Sequence, residues 1–193
     1  SRFIDKGYKI PKYILPFPDK GGTILSSILN EFNLNESWFV VVVMRSEHKI
    51  FESIVLNILG SLKCSYKINF IDKVTNGQAE SVFIALEGID ENSQLWIHNG
   101  DTILKERTLK FSDEDCIIDC FNSSSNSFSY VGYSKNNSVN RLVEKEVISN
   151  DASTGLYGFK SVKLYKKNYL ITDWLSYNNE WYISSLINFM LKN

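Results

Sequence analysis

The sequence predicts an α/β protein in three layers, with helices on both faces of a mixed, mainly parallel sheet. Two observations predict it. Through the first hundred residues, apolar runs of strand length alternate with stretches whose apolar residues recur at helical spacing. After about residue 110 the pattern changes to short strand-like runs broken by Asn, Ser and Gly, which admits antiparallel pairs.

The elements follow in order. Residues 13–16 form a short apolar run, and Gly21-Gly22-Thr23 then opens a helix. Ile24, Leu25, Ile28, Leu29 and Phe32 share its apolar face, with Thr23 as the N-cap. Residues 38–44 are continuous and rich in valine, the pattern of a strand buried on both faces. A second helix is expected from about Ser46, with Ile50, Ile54, Val55, Ile58 and Leu59 on one face. Residues 66–71 read as a strand, 77–86 as a helix, and 94–98 as a strand that ends at Asn99-Gly100-Asp101. Farther on, residues 127–134, 140–147 and 154–160 read as strands, 123–127 as a polar loop and 180–191 as an amphipathic helix.

Length and charge narrow the classes. At 193 residues the chain is expected to be one domain, 1–193. It starts at Ser1 rather than Met and stops at Asn193 within a helical pattern, so the domain is expected to be incomplete at its N-terminus and open at its C-terminus. A net charge of −1 gives no electrostatic footprint for nucleic acid. No apolar run approaches the roughly 20 residues that span a bilayer, so no membrane partner is expected. Cys64, Cys116 and Cys120 cannot all pair and fit no zinc spacing; they read as reduced thiols of a cytoplasmic protein. The sequence leaves a homo-oligomer open.

Four segments carry chemistry. Ser1-Arg2-Phe3, followed by Gly7-Tyr8-Lys9-Ile10-Pro11-Lys12, places Arg2 and Lys12 among the cations near the amino end, suited to phosphate oxygens. Thr75-Asn76-Gly77-Gln78-Ala79 is a turn at a helix start, where the planar amide of Gln78 offers donor and acceptor together. Asn99-Gly100-Asp101 puts a carboxylate at the carboxyl end of a strand, the edge where open α/β sheets bind ligands. Mg²⁺ favours one or two such carboxylates plus substrate phosphates. The fourth segment runs from Ser129 to Phe159 and contains Glu144-Lys145 and Thr154-Gly155. His48 and His98 read as packing residues.

Taken in this order, the segments resemble the sugar-nucleotidyltransferase superfamily. Within it they are most similar to small cytidylyltransferases of capsule biosynthesis that act on sugar or phosphocholine-type acceptors. The resemblance implies a Rossmann-like, GT-A-like fold and an NMP transfer from a pyrimidine NTP (CTP, UTP or dTTP) to a phosphorylated small acceptor, with pyrophosphate released. It implies catalytic roles for Arg2, Lys12 and Asp101, with Asp101 as Mg²⁺ ligand. Ser1, Gly77, Gln78 and Gly100 would meet the nucleotide, and Glu144, Lys145, Thr154 and Gly155 the acceptor. Asp151 and Asp173 are the candidates for a second metal carboxylate. Two other readings stand beside it: a GT-A glycosyltransferase, whose usual Asp-x-Asp would here be Asn99-Gly100-Asp101, and a non-catalytic nucleotide-binding module.

Overall fold

The computed structural model describes residues 7, 10–17, 21–105, 109–110, 113–174 and 181–193. By contact the chain divides into two compact units: Ser1–Val74 with Asn99–Lys110, and Thr75–His98 with Phe111–Asn193.

In the first unit a 3-10 turn, Lys12–Ile14, leads into the antiparallel pair β1 (Pro16–Phe17) and β2 (Gly22–Thr23). Helix α1 (Ile24–Asn30) starts where the sequence places its cap. Thr23 Oγ1 accepts the Ser26 N–H at 3.1 Å, and Ser26 Oγ accepts the Thr23 N–H at 2.9 Å. These reciprocal bonds satisfy two donors that a helix start otherwise leaves orphaned. Strands β3 (Phe39–Arg45) and β4 (Ser65–Ile71) pair in parallel, with helix α2 (Glu52–Leu59) between them in sequence. Ile14, Leu25, Leu29, Met44, Val55 and Leu59 form the core of this unit.

Two expectations need correction here. β3 is buried on one face rather than two: Val40, Val42 and Met44 pack on the core, whereas Phe39 and Val43 are exposed. An unbroken valine run therefore hides a period-2 division of faces. The expected long helix is a 3-10 segment, Ser46–Phe51, before α2 begins. Three residues per turn instead of 3.6 shift the phase. Val55 and Leu59 stay buried, but Ile50 is 80% and Ile54 44% exposed.

The second unit is built on a five-stranded sheet. It comprises β5 (Leu95–His98), β6 (Cys116–Asn122), β7 (Ser129–Tyr133), β8 (Val139–Glu144) and β9 (Asp151–Phe159). β9 is central and buried from Ala152 to Phe159. β6 runs along one of its edges; on the other, β5 pairs with residues 156–159 and β7 with Ala152. Every pairing in this sheet is antiparallel. The mixed α/β class holds, but among the described residues only β3 with β4 is parallel, so the expectation of a mainly parallel sheet fails. The reason lies in β9, a late strand that recruits both β5 and β6 as antiparallel partners.

Helices α3 (Gln78–Ala85), α4 (Val162–Ile171) and α5 (Ile183–Met190) accompany this sheet, with Ala79, Phe159, Tyr165, Ile183 and Leu186 at the centre of the core. β6 and α4 were not anticipated from the sequence. The Asn188 side chain ties α5 to β8: its amide donates to Leu142 O and accepts the Leu142 N–H, both at 2.6 Å. One side chain thereby satisfies a backbone N–H and C=O on a strand at the end of the sheet order.

Candidate functional site

Ser1 and Arg2 lie outside the described residues. The remaining sequence-predicted residues fall into one group in the first unit and three in the second.

In the first unit, Lys12 and Asp101 meet although 89 positions separate them, with Lys12 Nζ 3.1 Å from Asp101 Oδ2. Lys12 opens the 3-10 turn after Pro11, and Asp101 lies in the turn just beyond β5. Their side chains are 37% and 48% exposed. An ion pair this open contributes about 0–1 kcal/mol to stability. Both charges therefore stay available to a ligand. Gly100 lies beside them in open space: a Cβ there would meet nothing within 4 Å.

At the start of α3, Gly77 is needed for a close approach, and what approaches is protein backbone. A Cβ on Gly77 would stand 2.5 Å from the carbonyl oxygen and 2.6 Å from the nitrogen of Trp181. The same segment donates from Ala79 N–H to Trp181 O, and accepts from Trp181 N–H at Asn76 O, each at 2.9 Å. Gln78, the first residue of α3, is half-buried.

Glu144 ends β8 half-buried, its Oε1 accepting the hydroxyls of Ser129, at 2.6 Å, and of Ser184. Lys145 follows in the left-handed region at φ 58, exposed, with its Nζ 6.0 Å from the centre of the Tyr182 ring. Thr154 and Gly155 lie in a bulge of β9: one β6 residue, Asp119, spans the gap that residues 154–156 fill on β9. Thr154 Oγ1 donates to Asp119 Oδ2 at 2.8 Å, and Gly155 takes φ 83, a conformation that favours glycine.

Between these last two groups stands the Tyr157 phenol. Burial pushes it up to about 12; the charge of Glu144 adds to this, while the hydroxyls of Ser153 and Ser129 oppose it. Sequence reasoning assigned no role to Ser129, Asp119, Tyr157 or Ser184. Ser184 had a legible signal, a Ser-Ser pair in the first turn of a mostly apolar helix, and it is 1% exposed. Asp151 accepts the Tyr133 hydroxyl at 2.7 Å. No three His, Cys, Asp or Glu side chains cluster as a metal cage among the described residues. The three cysteines are free thiols, and burial raises Cys116 and Cys120 to about 12, far from a reactive thiolate.

No protein-family profile and no curated protein matches the chain, so the likeness to known proteins is structural. A nucleoside-diphosphate-sugar pyrophosphorylase from Vibrio cholerae RC9 superposes with a TM-score of 0.83 at 25% identity, over 99% of this chain and 83% of that one. A UDP-glucose pyrophosphorylase complexed with UDP-glucose gives 0.69 at 16% identity, over 99% and 82%. An inositol-1-phosphate CTP transferase from T. maritima gives 0.67 at 19%, over 95% and 73%. These neighbours are nucleotidyltransferases and sugar-nucleotide pyrophosphorylases.

Proposed function

We propose that this chain, a member of the sugar-nucleotidyltransferase superfamily by its fold, works as one nucleotidyltransferase domain over residues 1–193. It moves the nucleoside monophosphate of a pyrimidine NTP onto a phosphorylated, hydroxyl-bearing small acceptor and releases pyrophosphate. The observation that carries the reading is the contact of Lys12 with Asp101, an exposed cation and carboxylate brought to 3.1 Å from distant parts of the sequence.

An acceptor phosphate oxygen attacks the α-phosphorus in line, and the bond from that phosphorus to the β-phosphate oxygen breaks. No covalent intermediate with the protein is needed; positioning and charge neutralisation do the work. Lys12 turns its ammonium from Asp101 to the phosphate oxygens and offsets charge as pyrophosphate departs. Arg2 and Ser1 are assigned to the phosphates as well. Asp101 suits Mg²⁺, because it is an exposed hard-oxygen ligand and this ion takes most of its remaining ligands from phosphates and water. When bound, the ion would supply Lewis-acid neutralisation of the triphosphate. Gln78, set at the start of α3 by Gly77, reads the base, and Gly100 keeps the turn before Asp101 free of side-chain bulk.

Glu144, Lys145, Thr154 and Gly155 serve the acceptor. A quaternary ammonium such as that of phosphocholine would seek an aromatic face. Here the Tyr182 ring already has the Lys145 ammonium 6.0 Å from its centre, which repels a second cation. The Glu144 carboxylate, held by the Ser129 and Ser184 hydroxyls, is an acceptor for hydroxyl protons and favours a sugar or cyclitol phosphate instead. Synthesis of capsule or surface-polysaccharide precursors in the cytoplasm is the setting for such a product. No helix among the described residues is long and apolar enough to cross a membrane.

The test is pyrophosphate release with each of four NTPs against sugar 1-phosphates, inositol phosphate and phosphocholine. Turnover with a pyrimidine NTP and a polyol phosphate is the expected result. NTP binding without turnover on any acceptor would identify a binding module, and sugar transfer from a nucleotide sugar would identify a glycosyltransferase.

A further inference from the structure

The two carboxylate oxygens of Glu144 are treated unequally. Oε1 accepts both hydroxyls, one from Ser129 on β7 and one from Ser184 in the first turn of α5. Oε2 accepts no hydrogen bond from a described residue. Each hydroxyl has a single proton to give, and both are spent on the same atom.

Docking of α5 does not account for this arrangement. Asn188 already fastens the helix to β8 one turn later, through two bonds at 2.6 Å to the backbone of Leu142. Both hydroxyl donors are also neutral. They fix the carboxylate without cancelling its charge, as a lysine or arginine would. The result is an oriented anion with one oxygen anchored and the other left open.

We infer that Ser129 and Ser184 are positioning residues for the acceptor: they hold Oε1 of Glu144 so that Oε2 remains to accept an acceptor hydroxyl. The inference rests on the acceptor role proposed for Glu144 and adds the two residues that make it effective. Tyr157, beside Ser129 and Ser153, closes the hydroxyl cluster on its buried side.

The experiment is steady-state kinetics with NTP and sugar 1-phosphate varied independently, alongside thermal unfolding. Ser184→Ala and Ser129→Ala should each raise the acceptor KM about three- to tenfold, the loss of part of one hydrogen bond to a charged group, with the NTP KM unchanged. Ser129→Thr, which keeps the hydroxyl and suits a strand, should restore the acceptor KM. Asn188→Ala should lower the melting temperature while the acceptor KM stays put. If the serine variants lose only thermal stability, or shift both KM values alike, Ser129 and Ser184 are structural and the inference falls while the function stands. A wild-type protein that releases no pyrophosphate with any acceptor overturns the functional reading, and this inference with it. Should Ser184→Ala fail to fold, the Ser129→Ala and Ser129→Thr pair decides alone.

Discussion

Asp101, in a turn of the first unit, and Glu144, at the end of a strand in the second, are both candidate site carboxylates, yet they are held in opposite ways. Asp101 is half-exposed, with a cation 3.1 Å away. Glu144 is half-buried, held by neutral hydroxyls, and has no cation as a hydrogen-bond partner among the described residues. The exposed pair adds little to stability, so its charges can be handed to a ligand at small cost. The enclosed carboxylate is set in place by folding and cannot be rearranged without breaking two bonds. The first arrangement suits charge that must follow a departing group; the second suits recognition of a fixed shape.

This contrast breaks most visibly under substitution of the exposed pair. Asp101→Asn should lower turnover about 10²–10³-fold, the usual effect of removing one preorganised charge. Thermal unfolding should shift by no more than about 4 °C, since the pair is worth at most about 1 kcal/mol. Lys12→Ala should behave alike. Unfolding of either variant would mean that the pair is structural, and the contrast with Glu144 would disappear.

The next effect is one of stability, and it sharpens the same division. Gly77→Ala places a methyl group 2.5 Å from the Trp181 carbonyl oxygen, an atom of backbone that cannot swing aside. We expect a loss of about 1–3 kcal/mol, read as a lower urea midpoint at unchanged slope. At Gly100 a Cβ meets nothing within 4 Å, so Gly100→Ala should leave the midpoint in place. Equal stability of the two variants would show that the contact of α3 with Trp181 yields easily.

Much of this was legible in the sequence where a local signal was strong. The Thr23 cap, the α3 start at Gly77 and the strand running into Asn99-Gly100-Asp101 each depend on neighbours a few residues away. Strand pairing was not legible to the same degree, because β9 chooses partners from residues 95–98, 116–122 and 129–133, and nothing local encodes that choice. β6 escaped notice because Asp119 interrupts its apolar run, and the reason for Asp119 is the Thr154 hydroxyl 35 positions away. Ile50 was misplaced because a 3-10 segment and an α-helix share the same apolar spacing over a single turn. The pairing of Lys12 with Asp101 could be anticipated only through the resemblance, since nothing in their local patterns joins them.

The smallest effect at neutral pH grows only in alkali, and it separates the two units again. Burial raises Cys116, Cys120 and Tyr157 to about 12, and a hydrogen bond to Asp151 does the same for Tyr133, all in the second unit. In the first unit, Tyr13 rises to about 12 and Cys64 is also raised. The ordinary values are 9.0 for these thiols and 10.0 for the phenols. A group whose folded pKa lies above its unfolded value keeps its proton longer in the folded state. Its stabilisation is complete below the unfolded pKa and is lost as pH climbs through the folded one. Unfolding free energy should therefore be flat near pH 7 and decline between about pH 9 and about pH 12. Because the second unit holds more of these groups, tyrosinate absorbance and hydrogen exchange followed along the same titration should report its opening before that of the first. Simultaneous loss of both units across that window would show that they unfold as a single cooperative body.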